Sequence, residues 1–386
     1  MISTSFTGIS CSTGKVISLD IENGIIARIR NLPQTNENGL PYLSPGFVDL
    51  QVNGFRGVDF SSPGLTTKEM QKVNRALQEE GVTTYLPTLI TDSRENLIAS
   101  FRSLADARLD EAISLSVPGF HLEGPYISPL PGYRGAHPEK HVRLPDWDEF
   151  SVFQRTADNG IRMITLAPES VGAISFIRKC TAGGITVALG HHNAGSEIIK
   201  LATDAGASLC THLGNGLANL IDRHRNPLWP QLAEDRLSAT LIADGAHLTP
   251  DELLCFFRMK GTEHLILVSD LLDLAGLTPG SYTRRASTIE LTPEVAKYPA
   301  ENVLAGAVQP LHTDISNFMR ITGCSLSQTI HMATAGPARA IGLSDRGTLE
   351  VGKRADLVLF HLEDGRINIQ QTVLAGKTVY HKENAE

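Results

Sequence analysis

The sequence predicts an α/β protein: a (β/α)8 TIM barrel carrying a small β-sandwich domain formed by both chain ends. Three observations point there. Residues 45–344 alternate short apolar runs with helical patterns, and eight such runs over roughly 300 residues is the strand count of a parallel barrel. Residues 1–44 and 345–386 instead carry short strands separated by turn residues. Several of the apolar runs stop at a histidine, a glutamate or an aspartate, and active sites assemble at the carboxyl ends of barrel strands. A doubly wound open sheet is the rival architecture, weakened by the lack of a G-x-G-x-x-G opening turn.

In the small domain, the runs 15–21 and 24–29 are joined by the turn Glu22-Asn23-Gly24, a good hairpin signal. After Gly347 the same texture returns, with strands at 356–360, 367–369, 371–374 and 377–380 and a turn at Glu363-Asp364-Gly365. The barrel strands are expected at 46–51, 83–87, 115–122, 161–167, 185–189, 208–211, 238–243 and 264–269. Helices are expected at 67–80, 93–107, 196–205, 250–260 and 311–320.

The bulk numbers narrow the partners. The chain has 386 residues, 41% hydrophobic and 20% charged, with a net charge of −8, which suits a large domain plus a small one. No Lys/Arg-rich stripe is present to track phosphates, so nucleic acid is not an expected partner. Five cysteines (Cys11, Cys180, Cys210, Cys255 and Cys324) are odd in number and lack CxxC spacing. They read as reduced thiols of a cytoplasmic protein. No leader opens the chain, and no apolar run approaches the ~18 residues of a membrane span, so no membrane partner is expected.

The chemistry is concentrated at strand ends. The run 185–189 passes through Gly190 into His191 and His192, and the run 207–211 stops at His212. The third strand ends His121-Leu122-Glu123, and the eighth ends Ser269-Asp270. One acid and two imidazoles with a fourth position open are the pattern of a catalytic divalent-metal site. Asp270, placed as a carboxylate outside that set, can take a proton from water and hand it to a leaving nitrogen.

The runs PGFVDLQVNG (45–54), GVTTYLPTLIT (81–91), HLEGPYISP (121–129), TLAPE (165–169), GHHNA (190–194), THLGNG (211–216), ADGAHL (243–248), VSD (268–270) and GTLEVGKRADLVLF (347–360) follow one another over nearly the whole chain. Together they resemble the N-acetylglucosamine-6-phosphate deacetylase family, a branch of the amidohydrolase superfamily. The resemblance implies that Glu123, His191 and His212 bind the metal, usually zinc, and that Asp270 is the catalytic acid/base. It adds His137 and His247 as substrate-binding residues; Asn215, with an amide beside the strand that ends at His212, and Gly216 are further substrate-binding candidates. An arginine of the following loop is expected to reach the substrate phosphate. Arg225, in Arg-Asn-Pro, fits best, with Arg223 as its rival. It further implies a homodimer.

Four departures from the family pattern are visible. Gln51 and Asn53 replace the His-x-His of many amidohydrolases, so one metal ion is expected rather than two. THLGNGLAN replaces THLFNAM, and the loop 221–231 is longer than usual. SDLLDLAG (269–276) keeps Asp270 but adds Asp273. The expected reaction is metal-dependent hydrolysis of the acetamide of N-acetylglucosamine 6-phosphate to glucosamine 6-phosphate and acetate. The alternatives are deacylation of a related N-acyl compound lacking the phosphate, and a catalytically silent sugar-phosphate-binding homologue.

Overall fold

The computed structural model describes residues 4–33, 39–284, 287–300 and 303–383. Eight parallel strands succeed one another in chain order around a barrel: Phe47–Val52, Val82–Ile90, Phe120–Glu123, Ile161–Leu166, Thr186–Leu189, Leu209–Cys210, Ser238–Leu241 and Leu265–Leu267. The ring closes between the eighth strand and the first. The amide of Asp270 donates to the carbonyl of Gln51 at 3.0 Å, and that of Asn53 to Leu271 at 2.8 Å. Val48, Leu50, Leu86, Met163, Ala188, Leu209 and Ile266, drawn from strands around the ring, pack into one buried cluster that fills the barrel. It is therefore a packed core and not a pore.

The helices start where their capping residues place them. Thr66 forms a capping box with Glu69 ahead of Thr67–Glu79, Ser93 caps Arg94–Ala107, and Thr249 with Glu252 opens Pro250–Lys260. The expected strand 115–122 is corrected. Residues Glu111–Ser116 are helical, capped by Asp110, and the strand begins only at Phe120. Pro118 explains the break, since it disfavours helix at the residue before it and offers no amide to a ladder.

The chain ends pair as expected, but in one hydrogen-bonded sheet. Its seven strands run in the order Lys377–His381, Arg366–Leu374, Leu357–Glu363, Tyr42–Pro45, Thr4–Ser10, Val16–Glu22 and Ile25–Asn31. This sheet folds over on itself. A Cβ on Gly376, in the last hairpin, would lie 2.7 Å from the Ile21 methyl near the other edge. Phe6, Leu19, Ile26, Leu43, Leu357 and Val373 share the enclosed core.

One element has no counterpart among the expectations. After the eighth strand the chain folds a four-stranded antiparallel sheet, Gly280–Arg284, Ser287–Leu291, Ala296–Tyr298 and Val303–Gly306, before the helix Leu311–Thr322. In Ser287–Leu291 the buried Ile289 and Leu291 flank the exposed Glu290, the alternation of a strand with one covered face. This inserted sheet lies over the carboxyl ends of the barrel strands and roofs the candidate site, to which it contributes Arg284, Tyr298 and residues 303–306.

Candidate active site

Glu123 ends the third strand, while His191 and His212 lie two residues beyond the fifth and sixth. Their side chains are buried and converge. His212 Nε2 lies 2.9 Å from Glu123 Oε1, His191 Nε2 lies 3.3 Å from the same oxygen, and the two imidazole nitrogens are 3.2 Å apart. His191 Nδ1 sits 3.0 Å from the carbonyl oxygen of Tyr133. A carbonyl only accepts, so Nδ1 carries the proton and Nε2 presents a lone pair to the cluster. A carboxylate oxygen and imidazole lone pairs crowded into one spot are a donor set for a divalent cation. All three ligand atoms lie within 4.8 Å of one another, and the residues present fit a metal ion.

The backbone is bent to make this convergence. His191, His212 and Asp270 have φ of 54°, 30° and 52°, the left-handed region that non-glycine residues enter only where surrounding structure holds them. The His212 amide donates to Thr240 Oγ1 at 2.7 Å, and the His191 carbonyl accepts from Ser128 at 2.9 Å. The His191 ring is flanked by Gly135 and Gly216. A Cβ on Gly216 would lie 2.9 Å from Nδ1, and its φ of +64° already favours glycine. Beneath the cluster His121, Thr165 and Thr211 form a buried polar layer, with His121 Nε2 2.8 Å from Thr165 Oγ1 and the two hydroxyls 2.7 Å apart.

Asp270 stands beside the cluster. Its carboxylate accepts from Asn53 Nδ2 at 2.6 Å and from Gln51 Nε2 at 2.9 Å, and Gln51 also donates to Glu123 Oε1 at 3.0 Å. The two amides that replace a His-x-His pair therefore fix the acid. Burial, followed by the nearby Glu123 charge, pushes Asp270 up to about 6. For Glu123, burial acts upward, but the adjoining His191 and His212 imidazoles hold it well below the usual carboxylate range.

Glu123, His137, His191, His212, Asn215, Gly216, His247 and Asp270 all line one cavity of about 380 Å3. His137 Nδ1 is 2.8 Å from Thr91 Oγ1, and its ring packs edge-on to His191 with centroids 4.4 Å apart. His247 Nδ1 lies 2.8 Å from Asp244 Oδ2. His192 is buried elsewhere, accepting from the Ala194 amide at 3.1 Å, and burial pulls its imidazole down to about 4. Arg225 and Arg223 are not brought to this cavity and lie exposed on the loop beyond it. Arg284 and Tyr298, which do line the cavity, escaped the sequence reading. The alternation in 287–291 signals the inserted sheet, but nothing local shows that it folds over the site.

A parallel barrel with an acid and two imidazoles meeting at the carboxyl ends of its strands defines a metal-centre hydrolase scaffold. The chain belongs to the amidohydrolase family, which it matches over residues 42–379. N-acetylglucosamine-6-phosphate deacetylase of Bos taurus is 34% identical over 95% of this chain and 90% of its own length. N-acetylgalactosamine-6-phosphate deacetylase of Escherichia coli O157:H7 is 31% identical over 93% of each chain. Among solved structures, N-acetylglucosamine-6-phosphate deacetylase of Thermotoga maritima superposes with a TM-score of 0.87 at 28% identity, over 98% of this chain and 100% of that one. An aspartate-to-alanine variant of the Mycobacterium smegmatis enzyme, in complex with N-acetyl-D-glucosamine 6-phosphate, gives 0.88 at 27% identity with the same coverage.

Proposed function

We propose that this protein hydrolyses the acetamide of N-acetylglucosamine 6-phosphate, releasing glucosamine 6-phosphate and acetate, with one zinc ion held by Glu123, His191 and His212. The observation that carries the reading is the convergence of those three donors beside a separate carboxylate, in a chain that aligns with such deacetylases along nearly its whole length. A zinc ion bound by that set would supply Lewis acidity toward the amide carbonyl and the attacking water. Asp270 takes the proton of the attacking water and delivers it to the departing nitrogen, and its elevated position near 6 suits a group that must both accept and release. His137 steadies the developing oxyanion through Nε2. With the Thr91 hydroxyl donating to Nδ1, the ring proton sits on Nε2. His247, oriented by Asp244, and Asn215 hold the sugar. Gly216 leaves the room in which His191 and the substrate meet.

Arg225 binds the 6-phosphate from the mouth of the site, in a cytoplasmic homodimer whose partners are amino-sugar substrates and neither nucleic acid nor membrane. Its loop supports that placement. Leu220 and Trp229 are 93% and 53% exposed, an apolar surface suited to a second copy of the chain. No described helix is long and apolar enough to cross a membrane. In this reading the two structural units are 1–44 with 345–386 and the barrel 45–344.

A second reading, deacylation of an N-acyl amino sugar without phosphate, is favoured by one observation. The one arginine or lysine among the described residues lining the cavity, Arg284, is already paired with two carboxylates. Acetate release from N-acetylglucosamine 6-phosphate, its galacto epimer and unphosphorylated N-acetylglucosamine separates the readings. Turnover of the phosphorylated gluco substrate far above the other two is expected. Equal turnover of the plain sugar would give the second reading the site.

A further inference from the structure

The inserted sheet does more than roof the cavity. Its first strand ends on Arg284, whose side chain is 8% exposed. Arg284 Nη2 lies 3.1 Å from Asp59 Oδ2, and Nε lies 2.9 Å from Asp273 Oδ1, an ion pair and not an aligned hydrogen bond. One guanidinium thus joins three segments far apart in the chain. They are the hairpin after the first barrel strand (Gly54–Phe55 with Val58–Asp59), the turn after Asp270, and the inserted sheet. Held by two carboxylates that are 14% and 13% exposed, it acts as a tie and not as a cation free for substrate.

The tie bears on Asp270. A non-glycine residue at φ 52° keeps that conformation only while its neighbours over-determine it. The Asp270 carbonyl accepts from the Ala307 amide at 3.1 Å, and the Leu272 amide donates to Ala307 at 2.9 Å, so the end of the inserted sheet grips one side of the turn. The Asn53 amide donates to Leu271 at 2.8 Å and the Gly57 amide to Asp273 at 2.7 Å, so the hairpin grips the other. Arg284 connects both grips through Asp59 and Asp273.

We propose that Arg284 is a positioning residue for Asp270, locking the 270–273 turn between the hairpin and the inserted sheet so that the carboxylate meets the substrate already aimed. The proposal rests on the proton-transfer role given to Asp270 above. A misplacement of about 1 Å costs on the order of a hundredfold in rate. Loss of the tie is therefore expected to lower kcat by about tenfold to a hundredfold while KM stays within about twofold.

Arg284→Met alone strands two carboxylates that are mostly shielded from water and can cost the fold. The decisive variant therefore combines it with Asp59→Asn and Asp273→Asn. This triple variant is expected to keep its metal and lose kcat, with Arg284→Lys intermediate. In an Asp270→Asn background the same triple change is expected to lower kcat by less than about twofold, because residues acting through one group are not additive. Full kcat in the triple variant, or an undiminished further loss in the Asp270→Asn background, would overturn the proposal. Hydrogen exchange at the Leu272 and Ala307 amides, measured without substrate, is expected to speed up about tenfold in the triple variant. Unchanged protection there would overturn the tie whatever the activity. A parent protein that releases no acetate would instead sink the function proposed above, and the exchange rates would still decide the tie.

Discussion

His212 of the candidate metal cluster and the loop 217–230 are near neighbours in the chain, yet they are built on opposite principles. His212 is buried at the end of a barrel strand. Its amide, imidazole and neighbours are held by Thr240, Glu123 and His191, which belong to three other strands or strand ends. A few residues on, the loop holds itself. Asp222 Oδ1 accepts from the amides of His224 at 2.8 Å and Arg225 at 2.7 Å, and Trp229 Nε1 donates to the Arg223 carbonyl at 3.2 Å. An aspartate that folds its own turn leaves the side chains around it free to face solvent. The contrast teaches that the candidate metal donors are fixed where many elements meet, while the loop proposed to carry the phosphate contact is self-contained and can change without disturbing them.

The sharpest way to break the comparison is to cut the cluster itself. His191→Ala and His212→Ala are each expected to lose the metal and with it essentially all activity, while His192→Ala keeps both. Metal content of the purified proteins checks this, and loss confined to the His192 variant would reverse the assignment. Next in size, Asp270→Asn is expected to retain the metal and lose about 10² to 10⁴ in kcat, the contribution typical of a general acid–base group. If that variant emerged without metal, Asp270 would be a ligand instead.

A smaller effect probes how tightly the cluster is packed. Gly216→Ala places a methyl where His191 Nδ1 already lies 2.9 Å away, at a φ of +64°. Disturbing the surroundings of a ligand typically costs about 10- to 100-fold in metal affinity. The low end of that range is expected, read by competition with a chelator, and unaltered affinity would mean that the ring can give way freely. The smallest effect belongs to the loop. Arg225→Ala is expected to raise KM for the phosphorylated substrate about tenfold or more, the loss of a charge-assisted contact of about 1.5–3 kcal/mol. Metal content and turnover of the plain sugar should hold. Equal losses on both substrates would give Arg225 a structural role and erase the distinction between the two regions.

Much of this is legible in the sequence alone. Hydrophobic period and capping are local properties, so Thr67–Glu79, Arg94–Ala107 and Pro250–Lys260 were expected to within a residue or so. The strand endings at Glu123, His191, His212 and Asp270 were equally visible, because an apolar run stopping at a polar residue is a local signal. Where a proline interrupted such a run, at Pro118, the local signal misled, and a helix end was read as strand.

What the sequence by itself determined is the kind of elements, their order, and which residues stand at their ends, since these follow from side-chain period and turn chemistry within a few neighbours. Only the tertiary structure decided that Glu123 and His212, 89 residues apart, share one point in space. It alone showed that Gln51 and Asn53 serve Asp270, and that Arg284 binds Asp59 across 225 residues of chain. It likewise left Arg225 outside the cavity that His137 and His247 line. The physical reason is that barrel closure and the docking of the inserted sheet are set by packing and hydrogen bonds between distant segments. Those contacts leave no periodic trace in any one of the segments.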